Sequence, residues 1–204
     1  MTRTAAIVCA AAGFASIAGA QVTGIGPFTG DGYEGFEGIA PPGSVPGPVD
    51  IFSGDATVND SFAGILVIAS NLVSFVTNEE IFPYNGNLMG LSVTGFTEFT
   101  FDTPATDFGG YFGTADNLSN GTISFYDESN ALIETVSMEL PLNDWQWWGW
   151  SSSTPFSRVS IAGNVNPGTP IVFDDLRVNY VPAPAGSAVL ALGGVIALRR
   201  RRSN

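Results

Sequence analysis

Between residues 49 and 178 the apolar positions come in short runs with a period of two, separated by Gly, Asn, Asp and Pro. Successive side chains of an extended chain point to opposite faces of a sheet, so this period marks half-buried strands. The pattern predicts strands over 49–52, 65–68, 72–76, 91–93, 96–101, 107–112, 122–126, 132–138, 146–150, 156–161 and 171–178. One earlier strand is expected over 33–37, inside a glycine- and proline-rich arm. β-Branched and aromatic residues dominate these runs, as strands favour. Two of them, 122–126 and 132–138, flank Asp127-Glu128-Ser129-Asn130, polar turn formers that predict a hairpin. A turn is also expected at Thr103-Pro104. Residues 21–180 hold no sustained helical period. The expected body is therefore all-β: a single jelly-roll-like antiparallel β-sandwich, long enough for one sizeable core.

The two ends break the pattern. Met1-Thr2-Arg3 is a short positive segment, residues 5–17 are apolar, and Ala18-Gly19-Ala20 offers small residues for cleavage. Residues 1–20 thus read as a secretory signal peptide, with Gln21 as the first mature residue. At the other end, residues 181–204 begin with Val181, Pro182, Ala183 and Pro184. An apolar stretch, 185–198, follows, and then Arg199, Arg200, Arg201 and Arg202. As a helix the stretch spans roughly 21 Å, short against a bilayer core of about 30 Å. Clustered arginine marks the cytoplasmic side. The tail is expected to be a transmembrane helix that holds the body outside, at least transiently. This order of elbow, short helix and arginine stop resembles the PEP-CTERM sorting signal of exported bacterial proteins. Val181, Pro182 and Pro184 match its Val-Pro-Glu-Pro motif, and Ala183 stands where that family usually has glutamate. The resemblance implies cleavage near the motif by an exosortase-type enzyme, after the secretion machinery and signal peptidase have acted. It also implies delivery to the cell surface or extracellular matrix.

Removing both addresses changes the charge. All seven basic residues are arginine, and only Arg158 and Arg177 lie in the body, against 19 acidic residues. A net charge of −17 excludes nucleic acid as a partner, because phosphate contacts need clustered lysine or arginine. It keeps the protein soluble, and carboxylates of this density can attract calcium. The lone cysteine, Cys9, falls in the signal segment, so the mature chain has no disulfide.

The body also lacks histidine and lysine. Ser-His-Asp triads, cysteine nucleophiles, Schiff bases and His/Cys zinc sites are thereby ruled out. Carboxylate pairs alone would suffice for a glycoside hydrolase, and the neighbouring pairs are Glu34/Glu37, Glu79/Glu80 and Asp127/Glu128. None has the spacing of sandwich-fold glycosidases, so the reading is non-catalytic. Trp147, Trp148 and Trp150 admit two roles. On one strand Trp148 and Trp150 share a face and Trp147 takes the other; the shared pair is expected in the core, while an exposed face would be a glycan platform.

Residues 91–178 resemble a jelly-roll pattern of exported bacterial proteins, through Thr103-Pro104, Phe-Gly-Gly-Tyr-Phe-Gly, Trp-Trp-Gly-Trp and Phe-Asp-Asp-Leu. In carbohydrate-binding jelly rolls a Phe-Glu in the first strand and an Asp-Asp in the last help bind structural calcium. The resemblance places that metal site on Glu37, Asp174 and Asp175. Asp175 is expected to face inward with Phe173. The preferred function is that of a non-catalytic envelope or matrix protein. The alternatives are a carbohydrate-binding module for envelope or environmental polysaccharide and, third, a glycoside hydrolase.

Overall fold

The computed structural model describes residues 21–73, 79–115, 119–163 and 170–182. Its strands are β1 (Val22–Gly24), β2 (Gly32–Glu34), β3 (Gly43–Pro46), β4 (Val49–Ile51), β5 (Ala56–Asp60), β6 (Ile65–Ala69) and β7 (Leu72–Val73). They continue with β8 (Glu80–Ile81), β9 (Met89–Ser92), β10 (Phe96–Gly113), β11 (Ser119–Tyr126), β12 (Leu132–Leu140), β13 (Gln146–Ala162) and β14 (Ile171–Tyr180). Every pairing between these strands is antiparallel. The one helical turn among the described residues is a 3-10 turn over Phe52–Gly54.

Two long strands build both layers. The first part of β10 lies between β5 and the last part of β13, which in turn carries β11 and then β12. The second part of β10 lies between the first part of β13 and β14, and the order continues through β9 and β6 to β3. β1 closes the other edge on β13, and β2 lies along the end of β14. The passage from one layer to the other coincides with register shifts between Thr100, Ala105 and Asp107. Pro104 and Pro155 sit at these crossings. A proline cannot donate to the ladder, but its fixed φ suits an extended chain, so it interrupts pairing without ending the strand. The turn expected at Thr103-Pro104 is consequently a bend. The runs 96–101 and 107–112 belong to one strand, as do 146–150 and 156–161.

Elsewhere the elements match the period-two pattern with local departures. The hairpin forms as expected: Asp127 Oδ1 accepts from Ser129 N at 2.9 Å, Ser129 Oγ at 2.7 Å and Ala131 N at 2.9 Å. The strand expected over 33–37 ends at Glu34, because Phe36 turns with a left-handed φ of 63° and buries its ring. Strands β1, β3, β5 and β8 were not marked by the apolar pattern.

The core lies between the layers. Phe99, Phe101, Phe125 and Phe156 come from one layer and Phe108, Phe112, Trp150 and Phe173 from the other. Phe99 meets Phe108 at 5.0 Å and Phe173 at 5.5 Å, and Phe125 meets Trp150 at 6.0 Å. Edge and tilted contacts at these separations contribute about 0.5–1.5 kcal/mol each beyond burial. The fold is a two-layer β-sandwich. At one end of it Asp60 is fully buried and ties two turns together, accepting from Ala63 N (2.8 Å), Thr94 N (2.9 Å), Thr94 Oγ1 (2.6 Å) and Ser92 Oγ (2.9 Å). Burial pushes this carboxyl upward, but the donors outweigh it and hold it below the usual range.

Candidate functional site

The outer face of the layer containing β13, β10 and β14 carries most of the molecule's unusual chemistry. Along β10, Phe108 and Phe112 enter the core, so Tyr111 and Gly109 face out. Along β13, Trp150 enters the core at 1% exposure, so Trp147 and Gly149 face out. The register sets Gly109 opposite Gly149 and Tyr111 opposite Trp147. The glycine pair makes a shallow bed for the Trp147 indole. A Cβ on Gly109 would come within 2.9 Å of its Cζ2, and one on Gly149 within 2.8 Å of its Nε1. Gly149 therefore accommodates Trp147, not the core tryptophans.

Other groups fix this indole. Trp147 Nε1 donates to Ile25 O at 3.1 Å, Phe28 presents an edge contact at 5.9 Å, and the Arg177 guanidinium lies 5.6 Å from the ring. Arg177 is held in turn by donating to Phe28 O at 2.5 Å. From Trp147 a row of rings runs outward. Tyr111 meets it edge-on at 5.3 Å, Tyr84 stacks on Tyr111 at 3.5 Å, and Trp145 meets Tyr84 at 6.3 Å. Tyr84 is 44% exposed, and Trp145 is partly exposed. Hydrogen bonding with Tyr84, together with partial burial, raises the Tyr111 phenol above its ordinary pKa.

Carboxylates border the row. The β10–β14 register skips a residue between Gly109/Arg177 and Tyr111/Asp174, so Gly110 faces both Asp175 and Leu176. Asp175 takes a left-handed φ of 50° at this bulge. The bulge brings both aspartates to the outer side, with Phe173 and Leu176 left in the core. The expectation that Asp175 faces inward beside Phe173 is thus corrected. Asp174 Oδ2 accepts from Asn85 N at 3.0 Å, and its Oδ1 from Asp175 N at 2.7 Å. Asp175 Oδ1 accepts from the Tyr33 hydroxyl and from Asn85 Nδ2 at 3.4 Å. Burial pushes Asp174 up to about 7, despite the amide donors that oppose it. Partial burial and the bond to Asp175 push Tyr33 up to about 12.

Glu37 does not join this pair. Its Oε1 accepts from the backbone N–H groups of Asn87 and Leu88, the latter at 2.8 Å, and these bonds hold its carboxyl below the usual range. Glu37 and Asp174 both hold the loop that carries Tyr84, each by accepting from its backbone amide hydrogens. Among the described residues no three acidic side chains are grouped to hold a metal. The other carboxylate pairs are similarly engaged. Glu34 accepts from Phe36 N and Phe52 N, Asp127 closes the hairpin, Glu79 accepts from Asn143, and Glu80 accepts from Asn71.

Of the three tryptophans singled out in the sequence, Trp147 stands on the outer face of the layer and Trp148 is also partly exposed, in a cleft beside Asn120, Ser137 and Glu139. Trp150 is in the core, and Trp148 stacks on it at 6.1 Å with its Nε1 donating to Glu139 O at 2.8 Å. Tyr33, Tyr84, Tyr111 and Arg177 escaped the sequence reading. The glycines opposite one another in Phe-Gly-Gly-Tyr and Trp-Trp-Gly-Trp were the available signal, since a paired glycine bed implies a ring lying over it.

Of the address segments, Val181 donates its N–H to Pro104 O at 2.8 Å. With Pro182, Pro104 and Pro155 it lines a cleft of about 690 Å³ next to the Asp127 hairpin. Ala183, Pro184, the stretch 185–198 and Arg199 to Arg202 lie outside the described residues, as do Ala18 and Ala20. No helix among the described residues is long and apolar enough to cross a membrane.

No family model and no curated protein matches the chain. Solved structures include three distant likenesses. The CBM22-1 xylan-binding domain of Paenibacillus barcinonensis Xyn10C is 10% identical with a TM-score of 0.44, over 78% of this chain and 100% of its own. A family 11 carbohydrate-binding module of Clostridium thermocellum Lic26A-Cel5E is 9% identical with a TM-score of 0.37, over 76% and 97%. A DUF4465 family protein of Bacteroides caccae is 12% identical with a TM-score of 0.40, over 62% and 80%.

Proposed function

We propose that the protein is an exported, non-catalytic binding protein of the cell envelope or extracellular matrix, and that its outer aromatic face binds polysaccharide. The observation that carries this reading is the continuous row Trp145–Tyr84–Tyr111–Trp147, in which Tyr111 and Trp147 stand on the sheet and Tyr84 and Trp145 reach them from loops, bordered by Asn85, Asp174, Asp175, Tyr33 and Arg177. Aromatic rings offer flat apolar surface to the C–H faces of sugar rings, and the amide, phenol and guanidinium groups of Asn85, Tyr33 and Arg177 beside them suit hydroxyls. Pre-positioned rings lose little entropy on binding. With a body charge of −17, anionic chains are repelled, so the ligand is a neutral polysaccharide.

Export is supported by the sequence of both ends: the signal-peptide pattern of residues 1–20 and the Val-Pro-Ala-Pro elbow, apolar stretch and arginine stop after residue 180. Affinity electrophoresis through neutral and uronate-bearing polysaccharides tests the binding face. Retardation by neutral chains alone supports the reading, and migration unaffected by any of them contradicts it. Release of reducing sugar from a retained chain would favour the hydrolase alternative. Intact-mass measurement of the surface protein tests the addresses, with termini at Gln21 and near Val181 to Ala185 expected.

A further inference from the structure

Residues at the start of the mature chain meet an acceptor that they do not use fully as a peptide. The backbone nitrogen of Gln21 donates to Glu134 Oε2 at 2.8 Å, and that of Val22 donates to the same oxygen at 2.8 Å. Glu134 lies on β12, in one layer, while residues 22–24 pair with β13 in the other. The carboxylate thus fastens the edge of one layer to the edge of its partner. Gln21 is held on its remaining sides too. Its carbonyl accepts from Ser153 N at 2.9 Å, and its side-chain oxygen accepts from Thr154 Oγ1 at 3.3 Å. Glu134 brings the one charge among these partners. The next residue, Val22, is buried in the core at 5% exposure, so the position of Gln21 is set by packing.

We propose that Glu134 is a binding site for the α-ammonium group created when the chain is cut between Ala20 and Gln21, so that processing itself completes the junction between the two layers. Hydrolysis of that peptide bond consumes one water, leaves a carboxylate on Ala20, and converts the Gln21 amide nitrogen into an amine that takes up a proton. A neutral N–H donor 2.8 Å from a carboxylate becomes a cationic one, and charge-assisted bonds are roughly twice as strong as neutral ones. The uncut precursor has the hydrogen bond without the charge. The same pairing protects the terminus. An amine held as an ammonium by Glu134, beside a side chain held by Thr154, is kept from attacking its own side-chain amide carbon and expelling ammonia to form a lactam.

This inference rests on the export reading, and composition allows the two to be tested apart. The chain has no lysine, so the α-amine of Gln21 is the sole amine of the processed protein. The full chain is expressed with its signal and the processed protein is purified. It is treated with an acetylating reagent and then with hydroxylamine to clear esters. Acetylation is expected to lower the melting temperature by about 2–4 °C and to leave Glu134→Gln, which keeps an acceptor without charge, unchanged. The amine is also expected to react several-fold faster in E134Q than in the parent, since pairing keeps it protonated. A parent melt indifferent to acetylation, equal reaction rates, or a terminus isolated as the lactam overturns the proposal while leaving export intact. A purified protein still carrying residues upstream of Gln21 overturns both.

Discussion

The two faces of the β13–β10–β14 layer use the same strands for opposite ends. On the inner face Phe108, Phe112, Trp150, Phe173 and Leu176 are buried and meet the opposite layer. On the outer face their immediate neighbours Gly109, Tyr111, Trp147, Gly149 and Asp174 build a patterned surface. The inner set is interchangeable in kind, since any well-packed apolar group could serve. The outer set is not: two glycines bed one indole, a bulge turns two aspartates to one side, and a guanidinium is fixed over a ring. Such features cost stability and contribute little to the core. Their presence on one face and not the other is why the proposed function is placed there.

The largest effect that separates the faces is expected at Trp150. Trp150→Ala should cost about 3–5 kcal/mol by opening a cavity against Phe108, Phe112 and Phe125. Urea unfolding checks this, and a midpoint like that of the parent would refute the core assignment. By contrast Tyr84→Ala on the outer side should leave the midpoint nearly unchanged.

Two buried carboxylates sharpen the comparison through pH. Asp60 serves the frame, and its pKa is depressed in the folded protein. Its contribution is therefore present above the unfolded carboxylate range and is lost as pH falls through its folded value. Asp60→Ala should cost about 3 kcal/mol near neutrality, because several buried donors lose their acceptor. Asp174 lies buried beneath the proposed binding face and is shifted the other way, to about 7. Its protonated form is the one the fold prefers. Its own contribution is full below pH about 4 and is lost as pH rises toward about 7, by up to about 4 kcal/mol. Unfolding free energies measured across that window should slope downward in the parent and be flatter in Asp174→Asn. An unchanged slope would refute the assignment.

The frame was far more legible in the sequence than the face. Period two located 122–126 and 132–138 because each has one apolar side on a common core, whereas 171–178 was marked by its apolar run, which is buried on both faces. The polar turn at Asp127 was readable because its hydrogen bonds are local. The crossing at Pro104 was misread as a turn, since a proline announces a break in pairing and leaves open whether the chain reverses. β1 and β3 were missed because glycine, proline and edge position hide the alternation. The placing of the predicted metal carboxylates was hidden for a similar reason. Whether Glu37 meets Asp174 depends on the loop between them, and that loop supplies its own amide hydrogens. The ring row was invisible, as Tyr84 reaches Tyr111 from a loop without periodicity, and only tertiary structure sets one on the other.

The central claim is that the exposed rings bind neutral polysaccharide while the buried ones hold the fold. It is tested most directly by titrating such a polysaccharide into the parent and Tyr84→Ala, with a thermal melt of each. The expected result is a melting temperature within about 2 °C of the parent and affinity weakened about tenfold, the size of one lost aromatic contact. Undiminished affinity in a well-folded Tyr84→Ala protein would contradict the account.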